Sequence, residues 1–336
     1  MSSLQSTFRP KFAYSHGRMG VLKLLLMEQS DVDRMLGARD LKEVEKILTE
    51  LKLTSVIDQG INEGRAILEA VGTWMRREVE QMSPDEADEI FHILWLENDA
   101  PVISYFIKQK LNLTSEISKE PLSGMSAFDP DEIKQFIKDG SQGALPMHLT
   151  DFITEMLGGE ESNAKEVDTA VAAYIANLQL ELAGRSGSEH IKSFVSHKID
   201  LNNIRTAVRL NKEEEDEVLP YLLGGGTIPA KELAGDKDKI VSAIEHSGLF
   251  MFLPNDLETL FSDPIEFEQL AAHIVATDVS KMWNVPLSID PLFAFAAITN
   301  NQLKLIRTIL IAKRSELTPQ ETKQSLPPFL TASNFA

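Results

Sequence analysis

Three stretches with a similar pattern decide the fold, and they read DAPVISYFIK (residues 99–108), DLNNIRTAVR (200–209) and QLKLIRTILI (302–311). They align on Ile103, Ile204 and Ile306, which are separated by 101 and 102 residues. A spacing that recurs at about a hundred residues indicates an internal repeat, in which similar units pack against their neighbours.

Other features recur in the same order along the chain. Long helices are predicted to begin near Ile61, Asn163 and Pro264, and each is followed by a predicted shorter helix and then by one of the three stretches. A further helix is predicted to open at each of three proline dipeptides, Asp129-Pro130, Ile228-Pro229 and Thr318-Pro319. Residues 16–51 resemble the back half of a unit, and the C-terminus ends on a matching half. We therefore expect three similar helical lobes, at residues 1–113, 114–214 and 215–336, in a funnel-like pseudo-threefold arrangement.

Local signals predict an all-α protein. Four helix starts combine a capping side chain with proline at the first helical position and glutamate three residues after the cap: Ser83-Pro84, Asp129-Pro130, Asp263-Pro264 and Thr318-Pro319. The capping oxygen accepts a free backbone N–H, while proline has no N–H to leave unpaired. Apolar side chains at helical spacing, as at Leu68, Val71, Met75 and Val79, add a buried stripe.

Composition limits the function. The chain has 336 residues, a formal net charge of −18 and no cysteine. Its acidity disfavours nucleic acid as a partner, and the missing thiols exclude disulfides and thiolate metal sites. No run of 18 apolar residues predicts a membrane span, and residues 1–14 lack the apolar centre of a secretory signal.

The sequence offers no catalytic or cofactor signature. Gly224-Gly225-Gly226-Thr227 lacks the lysine of a phosphate loop, so a plain turn is expected. Glu89 and His92 share a helical face, but a di-iron bundle needs a second such pair and further glutamates. We expect His92 to be a packing residue beside Trp95, and we expect no catalytic residue, cofactor or metal.

Taken in order, these motifs resemble the C/d-subunit family of V-type ATPases, on its archaeal and bacterial branch. The matching segments are DLNNIR (200–205) with Arg209, GGGTI (224–228), PLFAF (291–295), LIR (305–307) with Lys313, and an opening with Tyr14, Arg18 and Leu26. Gln302 departs from the pattern, because the family tends to carry glutamate there. The first stretch departs as well, since Val102, Ile103 and Ser104 stand where the family has Asn-Leu-Lys.

The resemblance implies a non-catalytic central-stalk subunit of a rotary ATPase. It would link the central shaft to the membrane rotor ring, transmit torque and lie peripherally on the cytoplasmic face. One copy per complex and a monomer in isolation are expected. The candidate interface or lobe-contact residues are Asp200, Asn203, Arg205, Arg209, Gly224, Gly225, Gly226, Arg307 and Lys313.

Two questions stay open at the level of sequence. Asn203, Arg205 and Arg209 either hold adjacent lobes together or touch the shaft, and we favour the lobe contacts because repeats preserve what joins their units. The protein as a whole is a coupling element of the ATPase, a helical-repeat adaptor for another partner, or a helical enzyme with a site assembled from distant residues.

Overall fold

The computed structural model describes residues 12–114, 123–159, 163–252, 257, 259–262, 264–326 and 329–331. Every regular element in these ranges is a helix, which confirms the all-α prediction. No helix in this part of the chain is both long and apolar enough to span a bilayer.

The α-helices are numbered in chain order. The first eight are α1 (Ala13–Leu22), α2 (Gln29–Gly37), α3 (Leu41–Glu50), α4 (Gly64–Met82), α5 (His92–Lys110), α6 (Pro130–Asp139), α7 (Met147–Gly158) and α8 (Ala164–Arg185). The others are α9 (Glu189–Arg209), α10 (Glu215–Val218), α11 (Ala230–Leu233), α12 (Lys237–Glu245), α13 (Thr259–Ser262), α14 (Pro264–Trp283), α15 (Asp290–Arg314) and α16 (Pro319–Ser325). Short 3-10 helices lie at Lys23–Leu25, Lys52–Val56, Asp85–Phe91, Ser123–Met125, Leu219–Tyr221 and Phe250–Phe252.

The predicted helix starts have different outcomes. Asp129 caps α6 by accepting the Asp131 N–H at 2.8 Å, and Thr318 forms a capping box with Glu321 at the start of α16. α14 begins at Pro264 as predicted, while its predicted cap, Asp263, lies outside the described residues. The prediction at Ser83 is wrong: Ser83 ends α4, and a 3-10 helix follows in place of a capped α-helix.

The predicted shorter helices do not exist as separate α-helices. In the second and third copies the shorter helix and the stretch that follows it form one continuous helix, α9 and α15, while in the first copy the 3-10 helix at Asp85–Phe91 leads directly into α5. None of these three α-helices contains a glycine that would favour a break. Pro101 lies inside α5 without ending it.

Contacts divide the chain into two compact units. The first contains the described residues up to Glu89 and those from Val279 onward. Its centre is α15, which packs against α1, α3, α4 and α16 and buries large side chains such as Phe293 and Phe295 completely. Burying an aromatic or branched side chain contributes about 1.5–3 kcal/mol, so the buried side chains of α15 contribute substantially to the stability of this unit.

The second unit runs from Ile90 to Asp278. α5 packs against α6, α7 and α8, and α9 packs against α8, α11, α12 and α13. A continuous apolar cluster that includes Ile204, Leu233, Ile240 and Ile244 lies around α9. The predicted division into three lobes, after residues 113 and 214, cuts the chain differently and stays a prediction.

Candidate functional site

Asp200 is a fully buried carboxylate in α9 that binds the backbone of a later segment. Its Oδ2 accepts the Thr227 N–H at 3.0 Å and the Thr227 hydroxyl at 2.5 Å, while Oδ1 accepts the Ile228 N–H at 3.0 Å. Burial raises the pKa of Asp200, and the hydrogen bonds from residues 227 and 228 oppose that rise by favouring the charged form. The carboxylate therefore holds α9 to the segment that opens α11.

The glycine turn at residues 224–226 allows this close approach. A Cβ on Gly226 would overlap the Asp200 carboxylate, and Gly225 has φ of +91°, a conformation that L side chains rarely adopt. Gly224 faces open space. The turn packs against α9, and the N–H groups that follow it point at Asp200, so they are not available to a phosphate.

Asn203 makes a second contact to the same segment, one turn along α9 from Asp200. Its Nδ2 donates to the Leu223 carbonyl at 2.8 Å, and its Oδ1 accepts the Leu223 N–H at 2.7 Å. Both groups are buried, and each satisfies the other, so removing either one would leave a buried polar group unpaired. The structure thus brings together three of the sequence-predicted features: Asp200, Asn203 and the glycine turn.

The two arginines that follow differ from each other. Arg205 makes a two-point ion pair with Glu268 of α14, with Nε–Oε1 at 2.7 Å and Nη2–Oε2 at 2.9 Å, and its guanidinium lies over the Phe267 ring. Arg209 is exposed and makes no ion pair within the part of the chain that the structure describes. Of the two, Arg205 therefore has the structural contact expected from the repeat.

The other two repeated stretches place a buried polar residue at the position of Asp200, namely Asp99 and Gln302. Asp99 Oδ2 accepts the Ala127 N–H at 2.9 Å. Gln302 Oε1 accepts the Met27 N–H at 2.9 Å, and its Nε2 donates to the carbonyls of Met27 at 3.2 Å and Leu330 at 2.8 Å. We call these three side chains the anchor residues, because each ties a long helix to the backbone of another segment.

Sequence reasoning named Asp200 as a candidate contact residue but not Asp99 or Gln302, although a signal for the shared role of the anchor residues exists. Each anchor binds the backbone of the residue 28 positions further on: Ala127, Ile228 or Leu330. These three positions repeat with the same steps as the aligned isoleucines. The third member of the contact is Leu330, so Thr318-Pro319 opens a helix but is not the counterpart of Ile228-Pro229.

The remaining candidates, Arg307 and Lys313, lie on α15. Lys313 Nζ donates to the Leu36 carbonyl at 3.0 Å and to the Ala38 carbonyl at 2.5 Å, which places a cation at the C-terminal end of α2. This arrangement satisfies free carbonyl groups and suits the negative end of the helix dipole. Arg307 is half-buried, and burial together with nearby Arg65 lowers the pKa of Arg307.

Among the described residues, no group of three or more His, Asp or Glu side chains could hold a metal ion. Glu89 lies in a 3-10 helix, and His92 is the first residue of α5. His148 Nδ1 lies 2.7 Å from the Tyr174 hydroxyl, and His197 Nδ1 lies 2.7 Å from Asp278 Oδ2, so each histidine links two helices of the second unit.

Comparison with known proteins identifies a family. A family model described as "ATP synthase (C/AC39) subunit" matches residues 15–325, which is nearly the whole chain. The matched segment includes all three anchor residues, the glycine turn and every other site candidate named above. A search of curated proteins finds no match.

Proposed function

The chain belongs to the ATP synthase (C/AC39) subunit family, and from that premise we propose that it is a non-catalytic central-stalk subunit of a V/A-type rotary ATPase. It links the central shaft to the membrane rotor ring, and torque for ATP-driven ion transport or for ATP synthesis passes through it. The observation that carries this proposal is the family match over residues 15–325, which leaves no large part of the chain for another function.

We further propose that the chain forms three similar lobes in a funnel-like pseudo-threefold arrangement. The anchor contacts support this, since the same type of contact recurs at Asp99, Asp200 and Gln302. Gln302 also binds Met27, which is 275 residues away along the chain, so the last copy of the contact ties the N-terminal segment to the C-terminal one. A protein that transmits torque benefits from such a contact, because the contact resists separation of the two segments under load.

The non-catalytic assignment is supported by how the polar residues are used. Both oxygens of Asp200 accept hydrogen bonds from the protein, both polar atoms of Asn203 are paired with Leu223, and Arg205 is held by Glu268. Groups held in this way stabilise helix contacts, which supports a structural use of these side chains. We therefore propose that Asp200, Asn203, Arg205 and the glycine turn hold the lobes together and do not contact the shaft.

The proposed location is the cytoplasmic face of the membrane, with one copy per complex. A protein that joins two partners needs apolar surface for them. Tyr14, Val21 and Leu24 supply some, since they are exposed along one side of α1 and of the 3-10 turn that follows it. The first 27 residues contain arginine and lysine but no acidic residue, in contrast to the strongly acidic remainder of the chain.

The test is a comparison of ion transport with ATP hydrolysis. Affinity purification of the tagged chain from native membranes should recover other components of the ATPase. After deletion of the chain, the detached soluble head should still hydrolyse ATP, while membrane vesicles should no longer transport ions, because torque no longer reaches the ring. Loss of hydrolysis in the free head would refute the coupling role, and recovery of unrelated partners would favour a helical adaptor.

A further inference from the structure

The residue that follows the aligned isoleucine is used differently in the three copies. It is Ser104 on α5, Arg205 on α9 and Arg307 on α15. Ser104 and Lys108, one turn further on, both bind the Asp168 carboxylate, with Lys108 Nζ at 2.8 Å. Arg205 binds the Glu268 carboxylate at two points. In two copies, therefore, this position recognises a carboxylate on a neighbouring long helix.

The helices that carry these carboxylates, α8 and α14, align residue by residue with α4. The alignment identifies the residue of α4 that corresponds to Asp168 and Glu268. α4, α8 and α14 begin at residues 64, 164 and 264, and their buried side chains match at Ile67, Val167 and Phe267. Asp168 and Glu268 come directly after two of these buried residues. The corresponding residue on α4 is Leu68, which is only 2% exposed.

Arg307 consequently faces a helix that offers no carboxylate at this position. α15 packs against α4, and the contact is close, since a Cβ added to Gly64 would lie 2.8 Å from Leu310 Cδ1. Within the described ranges, the Arg307 guanidinium takes part in no ion pair or hydrogen bond. Its charged neighbour on α4 is Arg65, another cation. The nearby Glu45 carboxylate accepts the Gly64 N–H at 3.1 Å and so serves the start of α4.

The surface around Arg307 extends along one face of α15. Ile311 and Arg314 follow at steps of four and three residues, which is the spacing of one helical face. Ile311 is 41% exposed, whereas most large apolar side chains of this helix are buried, and Arg314 is exposed. Arg307, Ile311 and Arg314 together form what we call the arginine face.

We propose that the arginine face is the docking surface for an acidic helical segment of a partner protein, whose carboxylate pairs with Arg307. The repeat supports a carboxylate on a helix, because that is what the same position binds in the other two copies. A half-buried guanidinium gains most from a two-point carboxylate contact that also removes it from water. Ile311 gives the partner segment an apolar contact, and Arg314 complements an acidic residue at its edge. This inference rests on the proposed function only in taking the partner from the same ATPase complex.

The first experiment measures rebinding. Purified chain is added to native membranes from cells that lack it, and the bound fraction is measured against concentration. The double variant Arg307→Glu, Arg314→Glu should rebind about 30-fold more weakly or worse, because reversal of a charge in a desolvated pair both removes attraction and adds repulsion. Lys134→Glu is the control, since Lys134 is an exposed cation on α6 without an ion pair among the described residues, and it should rebind like the natural chain.

Folding is checked in the same variants. Helical circular dichroism and the denaturant midpoint should stay close to those of the natural chain, because neither Arg307 nor Arg314 makes an ion pair among the described residues that its replacement would break. If the double variant is unfolded, Arg307→Gln alone, which keeps the side chain polar and of similar length, should still weaken rebinding. Unchanged rebinding of a folded double variant would overturn the inference and leave the proposed function intact.

A second experiment identifies what lies on the arginine face. A photo-crosslinking amino acid at Ile311 should join the chain to a segment rich in Asp and Glu in another protein of the ATPase. Crosslinking to lipid alone, or saturable binding of inorganic phosphate that Arg307→Gln abolishes without any protein crosslink, would overturn the inference in favour of a small anion or a lipid headgroup. A crosslink to an acidic segment of a protein outside the ATPase would support the arginine face and refute the proposed function.

Discussion

Asp200 and Gln302 occupy the same position in the repeat, but the groups that they bind differ in hydrogen-bond donors and acceptors. Asp200 binds a segment that follows it by 27 and 28 residues, and that segment presents only donors: two N–H groups and one hydroxyl. Gln302 binds two segments at once, and they present one N–H and two carbonyls. A carboxylate accepts only, while an amide both donates and accepts.

The difference explains why an amide suits the third copy better than a carboxylate. Met27 and Leu330 come from opposite ends of the chain, and both present their carbonyl groups to the Gln302 amide. A glutamate would place a negative charge against two acceptors in a fully buried position. The third copy therefore keeps the position of the anchor contact, but it uses an amide in place of a carboxylate where it joins the segments around Met27 and Leu330.

The largest expected effect tests this adjustment. Gln302→Glu should reduce the free energy of unfolding by about 3–5 kcal/mol, since it leaves two buried carbonyls without a donor and buries an unpaired charge. Chemical denaturation followed by circular dichroism measures the change. The reciprocal substitution, Asp200→Asn, keeps one accepting oxygen and adds no charge, so it should cost less, about 1–3 kcal/mol. Equal losses would show that the chemistry of the amide is irrelevant.

The glycine turn provides the next test, because its three residues differ in their surroundings. Gly226→Ala places a methyl group against the Asp200 carboxylate and should destabilise the protein by about 1–3 kcal/mol. Gly224→Ala meets open space and is the matched control, with an expected change within about 0.5 kcal/mol. Thermal unfolding of both variants decides the matter, and a loss at Gly224 as large as at Gly226 would refute the close-approach argument.

Local features of this fold could be predicted from the sequence. The caps at Asp129 and Thr318 follow from side chains within three residues of the groups they satisfy. The expectation failed at Ser83, where the same local pattern coincides with the end of α4, so the packing of the preceding helix overrides it. Local sequence patterns indicate where a helix can begin, but the packing of neighbouring elements determines whether one forms there.

The anchor contacts could be predicted only in part. The sequence shows the three polar residues at regular spacing, but their partners are backbone groups of Ala127, Ile228 and Leu330, which carry no distinctive side chain. The contact between Gln302 and Met27 joins residues that are 275 positions apart, so no local sequence pattern indicates it. Contacts between a side chain and the main chain are thus the part of this structure that sequence patterns do not predict.

An effect of similar size is expected at Asn203, which has no polar counterpart in the other copies. The aligned positions are Val102 and Leu305, so Asn203→Val replaces the side chain by one that the repeat already uses. The substitution should cost about 1–3 kcal/mol, because the buried N–H and carbonyl of Leu223 lose their partners. Hydrogen exchange at Leu223 should become faster. Unchanged exchange together with unchanged stability would mean that water replaces the side chain fully.

The smallest effect is expected for the ion pair between Arg205 and Glu268. The two side chains are 30% and 53% exposed, so water screens their attraction, and exposed pairs of this kind contribute about 0.2–1 kcal/mol. A double-mutant cycle with Arg205→Ala and Glu268→Ala isolates the coupling from the loss of packing on Phe267.

The swapped variant, Arg205→Glu with Glu268→Arg, should recover most of the stability that either charge reversal alone removes. If the swapped variant folds normally and yet fails to rebind native membranes while Lys134→Glu still rebinds, then Arg205 contacts the partner directly, and its pairing with Glu268 is not what the complex requires. Normal rebinding of the swapped variant would support the view that Arg205 joins two helices of the same chain, and that recognition of acidic groups from outside belongs to Arg307, where no such pair exists among the described residues.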